Sequence, residues 1–289
     1  MILLFIFPLL FSLGTTLLFH YEACNSRLDI PPPHGLFPFM RSVAYSLSGL
    51  VFFLVSAPLH FVARRKVRGA GDMPPVVLIH GAQQHTGVWW PLRWWLKASG
   101  FTRVYCHAYT AGRRSMEQLG HVVNEALDEI SDIYPNERPL LVGHSLGGLI
   151  IRLWLHSTDQ PEISVLGGVT LGCPHRGSKT SKLFGKMKNG LDETMAYGSA
   201  FFVRFEAEER PATLPCMALY SRTDNIIHPE DAMIPPEKSG WKVRVTPPVS
   251  HMWLLCHPAI CKMVVLTLRE CLLANERKDA SDNDVKKDS

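Results

Sequence analysis

The stretch "RPLLVGHSLGGLIIRLWL", from Arg138 to Leu155, decides how the chain is read. "PLLVGH" has the length and apolar content of a buried strand, and "LGGLIIRLWLHS" has those of a helix. Between them Gly143 and Gly147 flank Ser145 in the spacing GxSxG. A sharp strand-to-helix turn strains the backbone and brings neighbouring chain close, which is where glycine is needed. A strand before and a helix after the motif is the context of a nucleophile elbow. The turn leaves the hydroxyl exposed at a helix N-terminus, where free N–H groups and the helix dipole favour negative charge. Ser145 is therefore the candidate nucleophile.

Working outward, strand and helix patterns alternate from Gly69 onward. Val76 to His80 reads as a buried strand, and "VWWPLRWWLKASG" as a helix stopping at Gly100. "RVYCHAY" is a strand, and "SMEQLGHVVNEALDEISDIY" a single amphipathic helix with Ser115 as N-cap and Pro135 beyond its end. After the elbow, "ISVLGGVTLG", "PCMALYS" and "WKVRVT" are strands, and "AICKMVVLTLRECLLANE" closes the domain as a helix. This alternation predicts an α/β fold with a mostly parallel sheet covered by helices on both faces. The domain spans 69–274, with a small helical cap at about 174–214, and the charged residues 275–289 form a disordered tail.

A serine nucleophile needs a base, and acyl transfer needs donors for an oxyanion. In strand–elbow–helix folds the acid and then the histidine follow the serine in the chain. Of the thirteen histidines, His156, His175, His228, His251 and His257 satisfy that order. His251, in "TPPVSHMWLL", lies between the last strand and the last helix and is preferred; His257 is its main rival. For the acid, "MALYSRTDNIIHPEDA" offers Asp224, Glu230 and Asp231; Asp224, directly after its strand, is preferred, although it could instead serve a local turn with Asn225. One oxyanion donor is expected from the N–H of Leu146 and the other from the loop "HGAQQHTGVWW", at Ala82 or else at Gln83. His80 reads as a residue bracing that loop.

Taken together, "LIHG" with the downstream "WWPL", "LVGHSLGG", "VTLGCPHRGS", "YSRTDNII" and "VSHMWLL" resemble the α/β-hydrolase fold, particularly bacterial lipases and esterases. The resemblance covers roughly residues 74 to 260. It implies a serine carboxylic-ester hydrolase working through Ser145, Asp224 and His251 by an acyl-enzyme, with no metal or other cofactor. Two departures stand out: the oxyanion loop is "HGAQQ" rather than HGGG, and an apolar N-terminal region precedes the domain. An acyltransferase or thioesterase would use the same triad, and a hydrolase-like binding protein would use none of it.

Residues 1–68 set the expected location. Met1 to Phe19 and Ser42 to Ala63 carry no charge, and each is long enough to cross a hydrocarbon core as a helix. The second run ends in the basic cluster Arg64 to Arg68, which favours the cytoplasmic side. The expectation is a transmembrane hairpin, helices at about 1–19 and 42–63, carrying a cytoplasmic catalytic domain; the alternative, a cleaved signal peptide at the first run, fits poorly because no positive region precedes it and its apolar part is too long. Seven scattered cysteines fit buried thiols better than a secreted disulfide framework, and a net charge of +4 gives no reason to expect a nucleic acid. The expected partners are a lipid or other ester and a bilayer. Bases interleaved with apolar residues from Arg176 to Lys188, among them Lys182, Phe184 and Lys186, suit an anionic membrane surface, or else a solvated face of the cap. Arg113 and Arg114 read first as surface residues and second as candidates for a phosphate headgroup. Trp89 and Trp90 are candidates for facing substrate or membrane, although tryptophans at helical spacing also pack cores.

Overall fold

A computed structural model describes residues 2–25, 35–63, 69–158, 164–181 and 190–287. Six parallel strands form one sheet: β1 (Val76–Ile79), β2 (Val104–His107), β3 (Leu140–His144), β4 (Gly167–Leu171), β5 (Cys216–Tyr220) and β6 (Lys242–Val245), in the order β2-β1-β3-β4-β5-β6. Strands β1, β3, β4 and β5 are buried at every residue, which explains why they read as continuous apolar runs. Strand β6 is an edge, carries Lys242 and Arg244, and is largely exposed.

Successive strand side chains point to opposite faces, so each strand supplies two cores. Val77, Ile79, Leu141 and Ala218 pack on one face beneath α5 (Met116–Gly120), α6 (Val122–Ser131) and α7 (Leu146–Ser157). Val76, Leu78, Val142 and Met217 pack on the other beneath α4 (Trp90–Ala98) and α10 (Pro258–Lys287). The chain steps from β1 outward to β2 and then back past β1 to β3. That reversal opens a crevice at the carboxyl ends of β1 and β3, where parallel α/β sheets place their ligands.

Several expectations need correction. The single helix expected over 115–134 is two helices, α5 and α6, interrupted at His121. Ser115 does cap the first, in a reciprocal pair with Gln118. The last helix does not stop before the charged tail but runs on to Lys287. Residues 275–287 contain neither Gly nor Pro, and Asn275 anchors the turn where they begin by donating to Leu166 O at 2.7 Å. Between β4 and β5 the described cap holds two short helices, α8 (Leu191–Thr194) and α9 (Ala200–Glu208).

The N-terminal region forms α1 (Ile2–Asn25) and α2 (Leu36–Ser56), the latter continuing through a tighter turn into α3 (His60–Ala63). Residues Leu36–Ala63 are long and apolar enough to cross a membrane, with a mean hydropathy of 1.8. Helix α2 packs beside α1 and meets the hydrolase unit through Ser46 at Asn225, Gly49 at Met252 and Ser56 at Gly87.

Candidate active site

Ser145 occupies the turn between β3 and α7 with φ 53° and ψ −125°, a positive-φ backbone conformation that L-residues rarely adopt. The turn is possible because Gly147 has no side chain: a Cβ there would collide with the backbone of Ile79 and lie 2.5 Å from His80 O. The carbonyl of Ser145 accepts from Gly148 N at 2.9 Å, and Ser145 N donates to Leu171 O at 2.9 Å. Leu146 begins α7, so its N–H has no carbonyl one turn back within the helix to bond.

Asp224 lies directly after β5 and His251 opens a short helical turn after β6. His251 Nδ1 and Asp224 Oδ2 are 2.7 Å apart, with both side chains buried. The other Asp224 oxygen accepts from Ile226 N at 2.9 Å and Ile227 N at 3.0 Å. The turn role weighed for Asp224 and its contact with the histidine thus coexist, one on each oxygen. A carboxylate on Nδ1 leaves that nitrogen as the N–H donor and Nε2 as the acceptor. Asn225 Oδ1 accepts from His251 N at 3.2 Å, which fixes the backbone on which the ring stands.

The alternatives are engaged elsewhere. Asp231 accepts from Tyr197 Oη at 2.5 Å and pairs with Arg176 at 3.9 Å. Glu230 accepts from Tyr220 Oη at 3.2 Å and pairs with Arg222 at 3.4 Å. His257 stands at the entrance to α10 beside Trp253 and is not among the cavity-lining residues.

The loop after β1 lies against the elbow. A Cβ on Gly81 would come within 2.9 Å of Ser145 Cβ, so only glycine lets the loop approach so closely. Gln84, which the sequence did not mark, ties the loop down: its Oε1 accepts from Gly81 N at 2.8 Å and contacts His144 Nδ1 at 3.1 Å. His144 Nε2 is 3.2 Å from His251 O, and the two rings lie 4.5 Å apart. Burial holds His144 well below its usual range, so the neutral ring has one N–H to share between two acceptors. His80 stacks on Tyr109 at 4.6 Å while Tyr109 Oη donates to His80 O at 2.7 Å, and burial pushes its pKa down to about 4.

One cavity of about 290 Å³ collects these elements. Ser145, His251, Leu146, Ala82 and Gln83 all line it. Its remaining wall is largely apolar and includes Phe7 and Phe11 of α1 and Leu50 and Phe53 of α2. The aromatic candidates fall outside it. Trp89 is fully buried in the core under α4, and Trp90 is half exposed; neither is a lining residue. Trp89 ends the tight turn Thr86–Trp89 that leads into α4 and packs into the core, whereas Trp90, the first residue of α4, stands at the surface. Lys182, Phe184 and Lys186 lie outside the described residues. Two neighbouring bases are paired: Lys179 with Glu22 of α1 at 2.6 Å, and Arg176 with Glu206 at 3.3 Å. Arg114 is held by both oxygens of Glu125, at 2.7 and 3.1 Å, which occupies the charge offered as a headgroup site.

The cap is fastened to the elbow helix by a buried pair that the sequence did not reveal. Arg152 of α7 donates through Nε and Nη2 to Glu209 at 2.8 and 2.6 Å, and through Nη1 to His175 O at 2.5 Å. Among the described residues no group of three His, Cys, Asp or Glu side chains could hold a metal ion. All seven cysteines are free thiols.

A parallel sheet with a strained serine at the switch point, followed in order by a carboxylate and a histidine, is the α/β-hydrolase fold. Residues 101–198 match the family model described as the PGAP1-like alpha/beta domain. Among solved structures, a membrane phospholipase A described as a novel bacterial virulence factor is similar over 81% of this chain and 97% of its own, at 16% identity and a TM-score of 0.51. The propeptide form of the Bacillus licheniformis lipase BlEst2 is similar over 68% of this chain and 51% of its own, at 16% identity and a TM-score of 0.51. Phospholipase PlaB from Legionella pneumophila aligns over 51% of this chain and 39% of its own, at 19% identity and a TM-score of 0.45. No curated protein sequence matches the chain.

Proposed function

We propose that the chain is a membrane-seated serine hydrolase that cleaves carboxylic esters of lipids. The observation that carries this reading is the 2.7 Å contact between Asp224 Oδ2 and His251 Nδ1, on the wall of an apolar cavity that also holds Ser145. Ser145 Oγ attacks the ester carbonyl carbon and passes its proton to His251 Nε2, and the carbonyl oxygen becomes an oxyanion facing the N–H groups of Leu146 and Ala82. The intermediate collapses, the leaving alcohol takes the proton from His251, and the acyl group stays on Ser145. Water then attacks the acyl-enzyme with His251 again as base, releasing the acid and restoring the serine. Asp224 holds the ring's orientation and stabilises the imidazolium, without itself taking a proton.

The membrane part of the reading rests on an inverted pattern in α1 and α2. Their inward faces carry small polar residues, Ser12, Thr15, Thr16 and Ser46, while Leu10, Leu17, Met40, Leu54 and Val55 point outward. Helices packed in lipid show this arrangement, with small and hydroxyl side chains at contacts and large apolar ones facing hydrocarbon. We place that outer face in the bilayer, with the hydrolase unit on the cytoplasmic side where the Arg64–Arg68 cluster belongs. The shared fold with a protein described as a membrane phospholipase A agrees with lipid as the ester.

The test is hydrolysis of acyl esters by the full chain reconstituted in phosphatidylcholine vesicles, with products resolved by mass. Free fatty acid from wild type and none from Ser145→Ala supports the reading. Acyl transfer to an added alcohol in preference to water makes the protein a transferase, and no turnover by folded protein removes the enzymatic reading.

A further inference from the structure

We propose that α1 and α2 form the acyl-chain subsite of the enzyme, so that the hairpin sets chain length as well as location. This rests on the ester-hydrolase reading above and names the part of the substrate that the hairpin takes. The cavity that reaches Ser145 is walled on the hairpin side by Phe7, Phe11, Leu50 and Phe53, none of which can bond a headgroup. A hydrocarbon tail is the occupant such a wall favours. At about 290 Å³ the space is at the small end of ligand cavities, a size that suits one tail.

The hairpin is fixed to the loops that carry the catalytic groups, as a substrate wall must be and a tether need not be. Asn225, next to Asp224, donates through Nδ2 to Thr15 Oγ1 at 2.8 Å and to Ser46 Oγ at 3.0 Å. Ser250, next to His251, donates to Tyr45 O at 3.0 Å, and Trp253 Nε1 donates to Ser48 Oγ at 2.9 Å. On the oxyanion-loop side, His85 Nε2 lies 3.2 Å from Phe53 O. Gly49 allows the approach, since a Cβ there would stand 3.0 Å from Met252 Cβ. A tail lying along Phe7, Phe11, Leu50 and Phe53 would share one cavity with Ser145.

The experiment uses the full chain in detergent micelles and p-nitrophenyl esters of graded acyl length, from butyrate to palmitate. Leu50→Trp fills the cavity from α2, and the ratio of laurate to butyrate turnover should fall by about tenfold or more, with the optimum moving to shorter chains. Phe11→Ala enlarges it and should move the optimum to longer chains, which keeps the test alive if the tryptophan variant fails to fold. Val55→Trp, on the outward face, should leave the ratio as in wild type. If Leu50→Trp and Phe11→Ala both hydrolyse esters with the wild-type chain-length profile, the subsite is elsewhere and the proposal is wrong. A folded wild type that turns over no ester removes the ester-hydrolase reading and this one with it.

Discussion

Removing the charge of Glu209 is the perturbation whose cost the structure defines best. Its carboxylate grips Arg152 at 2.8 and 2.6 Å, and the two side chains are 3% and 0% exposed. In Glu209→Gln the guanidinium stays buried with no opposing charge. Breaking such a pair from one side costs about 3–5 kcal/mol, against a total stability of about 5–15 kcal/mol for a typical domain. At about 2–4 °C per kcal/mol for a domain of this size, melting should fall by roughly 6–20 °C. The double variant Arg152→Met with Glu209→Leu removes both charges and fills the same space, so it should recover most of that loss. The assay is thermal unfolding of the full chain in detergent, followed by circular dichroism, with residual ester hydrolysis measured after heating. Melting of Glu209→Gln within about 2 °C of wild type, or a double variant no better than the single one, would refute the argument that the pair is desolvated.

Asp224→Asn keeps an oxygen for the Ile226 and Ile227 N–H groups but loses the anion opposite His251, so ester turnover should fall by about 10³–10⁴-fold with little change in melting. Retained turnover would move the acid elsewhere. Gly147→Ala drives a Cβ into the backbone of Ile79; displacing the elbow by about 1 Å should lower serine labelling about 100-fold, and an unchanged rate would mean the turn is not tight. Burial depresses the folded-state pKa of His80 to about 4, and of His144 and His175 well below 6.5. A depressed pKa means the unfolded chain binds the proton first, so their contribution is complete above pH 6.5 and is lost as pH falls through the folded-state values. For His80 that is roughly 3 kcal/mol between pH 6.5 and 4. Urea midpoints of wild type should fall across that window more steeply than those of His80→Asn, and parallel slopes would contradict the assignment.

Which parts of this were legible in the sequence follows from what each part is made of. Strands β1, β3, β4 and β5 are buried on both faces, so they announce themselves as short apolar runs between turn residues. Ser145, Asp224 and His251 could be picked out because each sits just beyond a strand, and the structure brings all three to one end of the sheet. The apolar character of α1 and α2 was visible in the sequence, but which of their faces is buried was not. Thr15, Ser46 and Asn225 are far apart in the chain, and only folding shows the hydroxyls turning inward to the site. Arg152 and Glu209 pair across the cap for the same reason, with no local pattern to betray them. Trp89 was ambiguous because a large aromatic near a catalytic loop has one composition whether it faces a ligand or the core; its complete burial in the turn before α4 decided for the core. The tail read as unstructured because it lacks apolar content, yet it continues a helix already anchored upstream.

The central claim is that Ser145 is an activated nucleophile, and covalent labelling tests it most directly. Full-length protein in detergent is treated with a fluorophosphonate probe, and the modified peptide is identified by mass spectrometry. The account predicts labelling of wild type at Ser145, none of Ser145→Ala, and strongly slowed labelling of His251→Ala with the fold intact by circular dichroism. Folded wild type that resists the probe, or label that persists in Ser145→Ala, would contradict it.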